Sequence, residues 1–241
     1  TISALDRNTG GTDVSGVQGT GHIEYRHSNV LNAVMFDGHS RTYSQPELFG
    51  IEKSFGEKKV LTGVSFRAEG GKAFGLLGRN GAGKTTSIRM ILGMLAKDSG
   101  EVLWNGKPMD AMNMNVGYLA EERGLYPKYT LMDQLLYFAK LKGVDRETAK
   151  KRIKYWAERL EVEEYLYPPK KVKGKKPEKP KTADQLSKGN QQKIQLMAAL
   201  LSEPELLILD EPLSGLDPVN TDLFKGIIRE EIAKGKYLIM S

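Results

Sequence analysis

The sequence predicts an α/β fold with a mostly parallel core sheet, an N-terminal antiparallel β subdomain and a helical insertion. Three observations carry that expectation. Gly75-Leu76-Leu77 reads as a strand running into a glycine-rich turn, with 86–95 following as a helix. Leu206-Leu207-Ile208-Leu209 is an apolar strand that ends in the carboxylates Asp210 and Glu211. Between the two, 130–142 and 145–160 carry apolar residues at 3.6-residue spacing, the period of an amphipathic helix.

Taken in order, 48–54 and 60–67 alternate apolar and polar residues around Gly56-Glu57-Lys58-Lys59 and are expected to pair as strands joined by a turn. The glycine-rich turn and its helix come next. Gly100-Glu101-Val102-Leu103-Trp104 looks like a short strand closed by the Asn105-Gly106 turn, and 115–119 like another. The two helices of the insertion follow. A further helix is expected to start at Ser187, a good N-cap, to continue through 196–201 and to end before Pro204. The apolar strand, its carboxylates, Pro218, a helix and a last strand at 237–240 complete an order of elements that gives a parallel sheet with a helical insertion.

Of the 241 residues, 39% are hydrophobic and 27% charged, an ordinary balance for a globular chain. No run approaches the roughly 18 apolar residues of a membrane span, so a membrane role would come through a partner. With no cysteine there are no disulfides and no thiolate metal sites, which fits a cytoplasmic protein. The net charge of +6 hints at nucleic acid until its source is located. Much of it sits in 168–181, a proline-broken lysine run that can neither form a helix nor pack a core. Such a run is a solvated loop, or a contact for anionic lipid headgroups or a partner.

Gly78-Arg79-Asn80-Gly81-Ala82-Gly83-Lys84-Thr85 fits the phosphate-loop pattern, the Walker A motif of P-loop NTPases. Its glycines let backbone N–H groups close around phosphates, the lysine reaches the outer phosphates and the threonine hydroxyl holds Mg²⁺. With the two carboxylates it points to ATP and magnesium. Asp210 suits Mg²⁺, a hard cation that takes oxygen ligands. Glu211 is placed to accept a proton from an attacking water.

Leu186-Ser187-Lys188-Gly189-Asn190-Gln191-Gln192-Lys193 lies between loop and carboxylates. In that order the three motifs resemble the ABC ATPase family, from about residue 48 to 241. The family's Leu-Ser-Gly-Gly-Gln element corresponds to 186–190, with Lys188 in place of its first glycine and Asn190 in place of its glutamine. Ser187, Gly189 and the helix N-terminus still offer donors to a γ-phosphate. The resemblance places Phe55 against adenine, although a strand-end phenylalanine is equally a core residue. It puts Thr86 beside the loop, Glu121 at the family's Q-loop glutamine and Ser214-Gly215-Leu216-Asp217 at its D-loop. The metal ligands it implies are Thr85, Asp210 and Glu121, and the catalytic residues Glu211 and Lys84.

With Glu121-Glu122-Arg123-Gly124-Leu125-Tyr126, the signature element is similar to the bacterial export-type subgroup of sodium and drug exporters. That resemblance implies an ATP-hydrolysing subunit, paired as a homodimer or heterodimer. It would sit on the cytoplasmic face of the membrane and drive an integral membrane permease, with no nucleic acid expected. A soluble ABC-type ATPase acting on ribosomes or DNA is the alternative, and an inactive ATP-binding fragment a third reading. The family's switch histidine falls just beyond the strand at 237–240. The only histidines here are His22, His27 and His39, so the chain is expected to bind ATP more readily than it hydrolyses it.

Residues 1–45 stand apart from 46–241, whose helical insert spans about 125–200. The first 21 are rich in Gly, Thr and Ser without apolar periodicity, as a disordered or borrowed segment would be. His27 followed after nine residues by Asp37-Gly38 resembles the tail of prepilin-type H-X9-DG proteins; a chance Asp-Gly turn reads equally well.

Overall fold

The computed structural model describes residues 46–122, 124–167 and 180–241, and the backbone of 23–24 and 32–35. His22, His27, His39 and Asp37-Gly38, and 168–179 of the lysine-rich run, lie outside the described residues. Two compact units emerge: one gathers the residues up to Met114 with Leu206–Asp210 and Arg229–Ser241, the other Asn115–Glu205 and Glu211–Ile228.

In the first unit, β3 (Pro46–Phe55) and β4 (Lys58–Arg67) form the expected hairpin. Its turn is only Gly56-Glu57, so Lys58 and Lys59 join the strand rather than the turn. β3 also pairs with β6 (Ser99–Trp104), and β6 with the two-residue β7 (Lys107–Pro108), giving an antiparallel sheet in the order β4-β3-β6-β7. Asn105 and Gly106 both adopt positive φ, 58° and 71°, the requirement of a two-residue hairpin turn whose twist matches its strands.

β5 (Ala73–Leu77), β9 (Leu206–Leu209) and β10 (Tyr237–Met240) form the parallel part of the core sheet, with β10 between the others. Leu206–Leu209 are all buried, as are Leu76, Leu238 and Ile239. Phe66 stacks on Phe74 at 4.3 Å, and Trp104 meets Tyr237 edge-on at 5.0 Å. The sequence reading set 1–45 apart from the fold. Yet the backbone of β1 (Ile23–Glu24) pairs antiparallel with β2 (Asn32–Met35), and β2 runs antiparallel along β5 from Asn32 opposite Leu77 to Met35 opposite Phe74. Alternation there gave no signal, because Asn32-Ala33-Val34-Met35 follows one polar residue with three apolar ones.

α1 (Lys84–Ile91) begins two residues before the expected 86 and stops four before 95. Gly93, at φ 68°, reverses the chain so that the amides of Met94 and Leu95 both donate to the Arg89 carbonyl, at 2.8 and 3.2 Å. Glycine in this left-handed position is a common helix stop, and it overrides the apolar residues beyond it.

The second unit is largely helical. β8 (Val116–Leu119) packs on α5 (Lys188–Leu200), and α2 (Leu131–Leu141) on α3 (Arg146–Arg159), with the short α4 (Glu163–Leu166) beside α2 and α3. Both expected insert helices start at side-chain caps. Thr130 Oγ accepts from the Asp133 amide, and the Asp145 carboxylate from the amides of Glu147 and Thr148. Leu131, Leu135, Ile153, Trp156, Leu160 and Ile194 fill the core of this unit. α6 (Pro218–Ala233) opens with proline at its first position, and the Asp217 carboxylate accepts from the Asn220 amide at 2.9 Å. Hydrogen bonds from Asn220 hold the Asp217 carboxyl below the usual carboxylate range, so it is a charged cap. Among the described residues no helix is long and apolar enough to cross a membrane.

Candidate functional site

Parallel pairing decides which residues of the first unit can act together. β5, β10 and β9 point the same way, with Gly75 and Leu209 both opposite Met240. Their C-terminal ends therefore deliver the glycine-rich loop, Ser241 and Asp210 to one edge of the sheet. In open α/β sheets this is the edge where ligands bind.

The loop runs from the exposed Gly78, Arg79, Asn80 and Gly81 into the buried Ala82 and Gly83. The Ala82 amide closes a turn on the Arg79 carbonyl at 3.0 Å. Gly83, the N-cap of α1, sits at φ 97°, and a Cβ there would lie 2.5 Å from Leu61 Cδ2. Only glycine fits. Lys84 folds back so that its Nζ donates to the Gly78 carbonyl at 2.9 Å, spanning the loop from end to start. The first turn of α1 contains no acidic residue and no side-chain cap. Helix amides in a first turn have no intrahelical acceptor and carry the positive end of the helix dipole, which suits an anion. Thr85 and Thr86 are half-buried in that turn.

Asp210 is fully buried. Its Oδ1 accepts a 2.7 Å bond from the Ser241 hydroxyl, while Oδ2 has no hydrogen-bond partner. An uncompensated buried carboxylate oxygen is costly, and a hard cation is the partner such an oxygen suits. The donor chemistry of Asp210 thus fits the magnesium expected from the sequence. Thr85 belongs to the same unit, and Glu121 is an exposed residue of the other, just past β8. Among the described residues no three His, Asp or Glu side chains cluster as a self-contained metal site. Phe55 ends β3 half-exposed, with Lys53 Nζ 5.5 Å from its ring centre. It is not the core residue that the alternative reading allowed.

In the second unit, Ser187 is the exposed N-cap of α5 and accepts from the Asn190 amide at 3.2 Å. Asn190, where the resembled family has glutamine, turns its side chain to the Tyr165 hydroxyl at 3.0 Å. A Cβ on Gly189 would make only ordinary contacts, 3.6 Å to Leu216 Cδ2. Packing within the unit therefore does not demand glycine at 189. Glu211 follows Asp210 with φ 49°, a left-handed backbone unusual for glutamate. Gln192 Nε2 donates to the Pro212 carbonyl at 2.8 Å.

Sequence reasoning missed two of these residues. Ser241 shows its role only once the parallel register brings it beside Asp210. Gln192 reads as one polar residue on a helix until α5 is packed against the 211–212 turn.

The ABC transporter family model matches residues 61–214. An uncharacterized ABC transporter ATP-binding protein of Bacillus subtilis, YhaQ, is 48% identical over 176 residues, 73% of this chain and 55% of that protein. A Nod factor export ATP-binding protein I from a Rhizobium species is 34% identical, covering 81% of this chain and 61% of its own length. The chain thus spans little more than half of these relatives. Among solved structures, one titled as the ATP binding subunit of an ABC transporter superposes with a TM-score of 0.69 at 27% identity, over 81% of this chain and 78% of its own. The family match takes in well over half of the sequence and reaches from β4 past the carboxylate pair, and the chain belongs to the ABC transporter family.

Proposed function

We propose that the chain is the ATP-binding and ATP-hydrolysing subunit of a transporter that drives export through a separate membrane permease. The observation that carries this reading is the shared edge of β5, β10 and β9. There the phosphate loop and the unpartnered oxygen of Asp210 emerge from parallel strands that flank β10 on either side. In this reading 46–241 form the nucleotide-binding domain, with a helical insert over about 125–200 that passes movement to the permease. The subunit would lie peripherally on the cytoplasmic face of the membrane. Export is supported by the name of the rhizobial relative.

The proposed chemistry is mostly positioning and electrostatics. Backbone amides from Gly81 to Thr85 bind the outer phosphates of ATP, and Lys84 exchanges the Gly78 carbonyl for them. Phe55 stacks on the adenine. Thr85 and Asp210, with Glu121 as a further ligand, would hold Mg²⁺, which when bound neutralises phosphate charge. Glu211 takes the proton from the attacking water. Ser187 and Gly189 at the open end of α5 serve the phosphates of a second subunit, so two copies complete two sites. The freedom at Gly189 within its own unit supports a close approach from outside it.

The solution mass of the Glu211→Gln variant, with and without Mg-ATP, tests this. Blocking proton abstraction should trap the ATP-bound pair, and the expected mass doubles with Mg-ATP and returns to monomer without it. A mass that stays monomeric while ATP is bound would overturn the pairing. No ATP binding at all would overturn the whole reading.

A further inference from the structure

Glu211 holds a backbone conformation that needs an explanation. Its φ of 49° is left-handed, and the next residue is Pro212, whose ring pushes a preceding residue towards extended conformations. Such a conformation persists only where surrounding contacts over-determine it. Two contacts do so. The Ser214 amide donates to the Glu211 carbonyl at 3.1 Å. From α5, the half-buried Gln192 donates its Nε2 to the Pro212 carbonyl at 2.8 Å and reaches the Glu211 carbonyl more weakly at 3.4 Å.

We infer that Gln192 is a positioning residue: its amide fixes the peptide planes at Glu211 and Pro212 and so sets the direction in which the Glu211 carboxylate projects. The inference rests on the proposed role of Glu211 as the base. Glu211 and Pro212 lie in a turn whose backbone carbonyls take the Gln192 side-chain amide of α5. The helix that supplies this grip is the one capped by Ser187, five residues earlier. A displacement of the first turns of α5 would therefore be felt at the carboxylate.

The test compares the full chain with Gln192→Glu and Gln192→Met. Both keep the length of the side chain, and neither presents an N–H to the carbonyls at neutral pH. Mg-ATP affinity, kcat, KM and amide exchange at Ser214 are measured for each. Expected are ATP affinity and KM within about twofold of the parent, a kcat lower by about tenfold, and faster exchange at Ser214. The Glu variant should recover rate relative to the parent as pH falls, because its protonated carboxyl can again donate to Pro212. An unchanged kcat overturns the inference, as does a raised KM with kcat preserved, or a Glu variant whose deficit ignores pH. Should the parent bind no ATP, the proposed function fails by itself. Ser214 exchange then decides alone whether Gln192 holds the turn, unchanged exchange overturning it.

Discussion

Ser241 donates its hydroxyl proton to one oxygen of Asp210 at 2.7 Å and leaves the other buried oxygen without a partner. The pair is asymmetric: one lone-pair set is satisfied by the protein and the other is held ready for a ligand. Asp210→Asn should then have opposite effects on stability and binding. In EDTA the substitution removes a poorly compensated buried charge and should raise stability by about 1–3 kcal/mol. With Mg²⁺ present, the metal-dependent gain in ATP affinity should fall by at least about tenfold. Ser241→Ala disturbs the carboxylate only indirectly and should weaken Mg²⁺-dependent binding by about tenfold. Thermal melts in EDTA and nucleotide titrations with and without Mg²⁺ read both effects. A destabilised Asp210→Asn in EDTA would show that the carboxylate has another role in the fold.

Gly83 is fixed by two independent constraints, its φ of 97° and the 2.5 Å approach of Leu61 Cδ2 to any Cβ. Gly83→Ala should cost about 2–4 kcal/mol, adding backbone strain to overpacking. The two terms separate in the double variant Gly83→Ala with Leu61→Ala. Removing the leucine methyls relieves the clash but leaves the dihedral cost, so the two changes should be non-additive in urea unfolding. Simple additivity would mean that Leu61 moves aside freely.

These residues show where reading from sequence stops. The strand before the phosphate loop, the starts of the helices at 130 and 145 and the cap at Ser187 are local features written within a few residues, and all are found where expected. The early end of α1 was also written locally, in Gly93, but the apolar residues beyond it carried the expectation too far. Ser241 on Asp210, Leu61 against Gly83 and Gln192 on Pro212 join residues 31, 22 and 20 positions apart in sequence. Each needs a register or a packing direction before it can be seen. The pairing of β2 with β5 is harder still, since Asn32-Ala33-Val34-Met35 carries no alternation from which a strand could be read.

Glu231 on α6 is buried, and both Lys234, at 2.5 Å, and Lys236 pair with it. Burial alone would raise its carboxyl pKa, but the hydrogen bonds and charges of the two lysines outweigh this and hold it below the usual 4.5. A carboxylate depressed in the folded state stabilises fully above its unfolded pKa, and that contribution is lost as pH falls through the folded value. Glu231→Gln should therefore cost about 1–3 kcal/mol at pH 7. The gap between variant and parent should narrow only below about pH 4.5, the ordinary carboxyl value. Urea unfolding of both proteins at pH 7, 5 and 3.5 checks this; a gap that stays constant down to pH 3.5 would mean that packing rather than charge holds the site.

Ser87 lies on the buried face of α1, fully excluded from solvent, and its hydroxyl has no hydrogen-bond partner. A helix serine can share the carbonyl four residues back with its own amide; here the Ser87 amide bonds the Gly83 carbonyl at 2.8 Å, and the hydroxyl makes no bond. An unmade bond costs the desolvation of the group and returns nothing, whereas alanine has no polar atom to bury and the highest helix propensity. Ser87→Ala should accordingly be neutral to stabilising by about 1 kcal/mol, a rise of about 2–4 °C in Tm for a domain of this size. ATP affinity should stay unchanged, because the side chain faces the core and not the loop. A fall in Tm would show that the hydroxyl has a bonding partner in solution, and a fall in ATP affinity alone would tie Ser87 to the geometry of the phosphate loop.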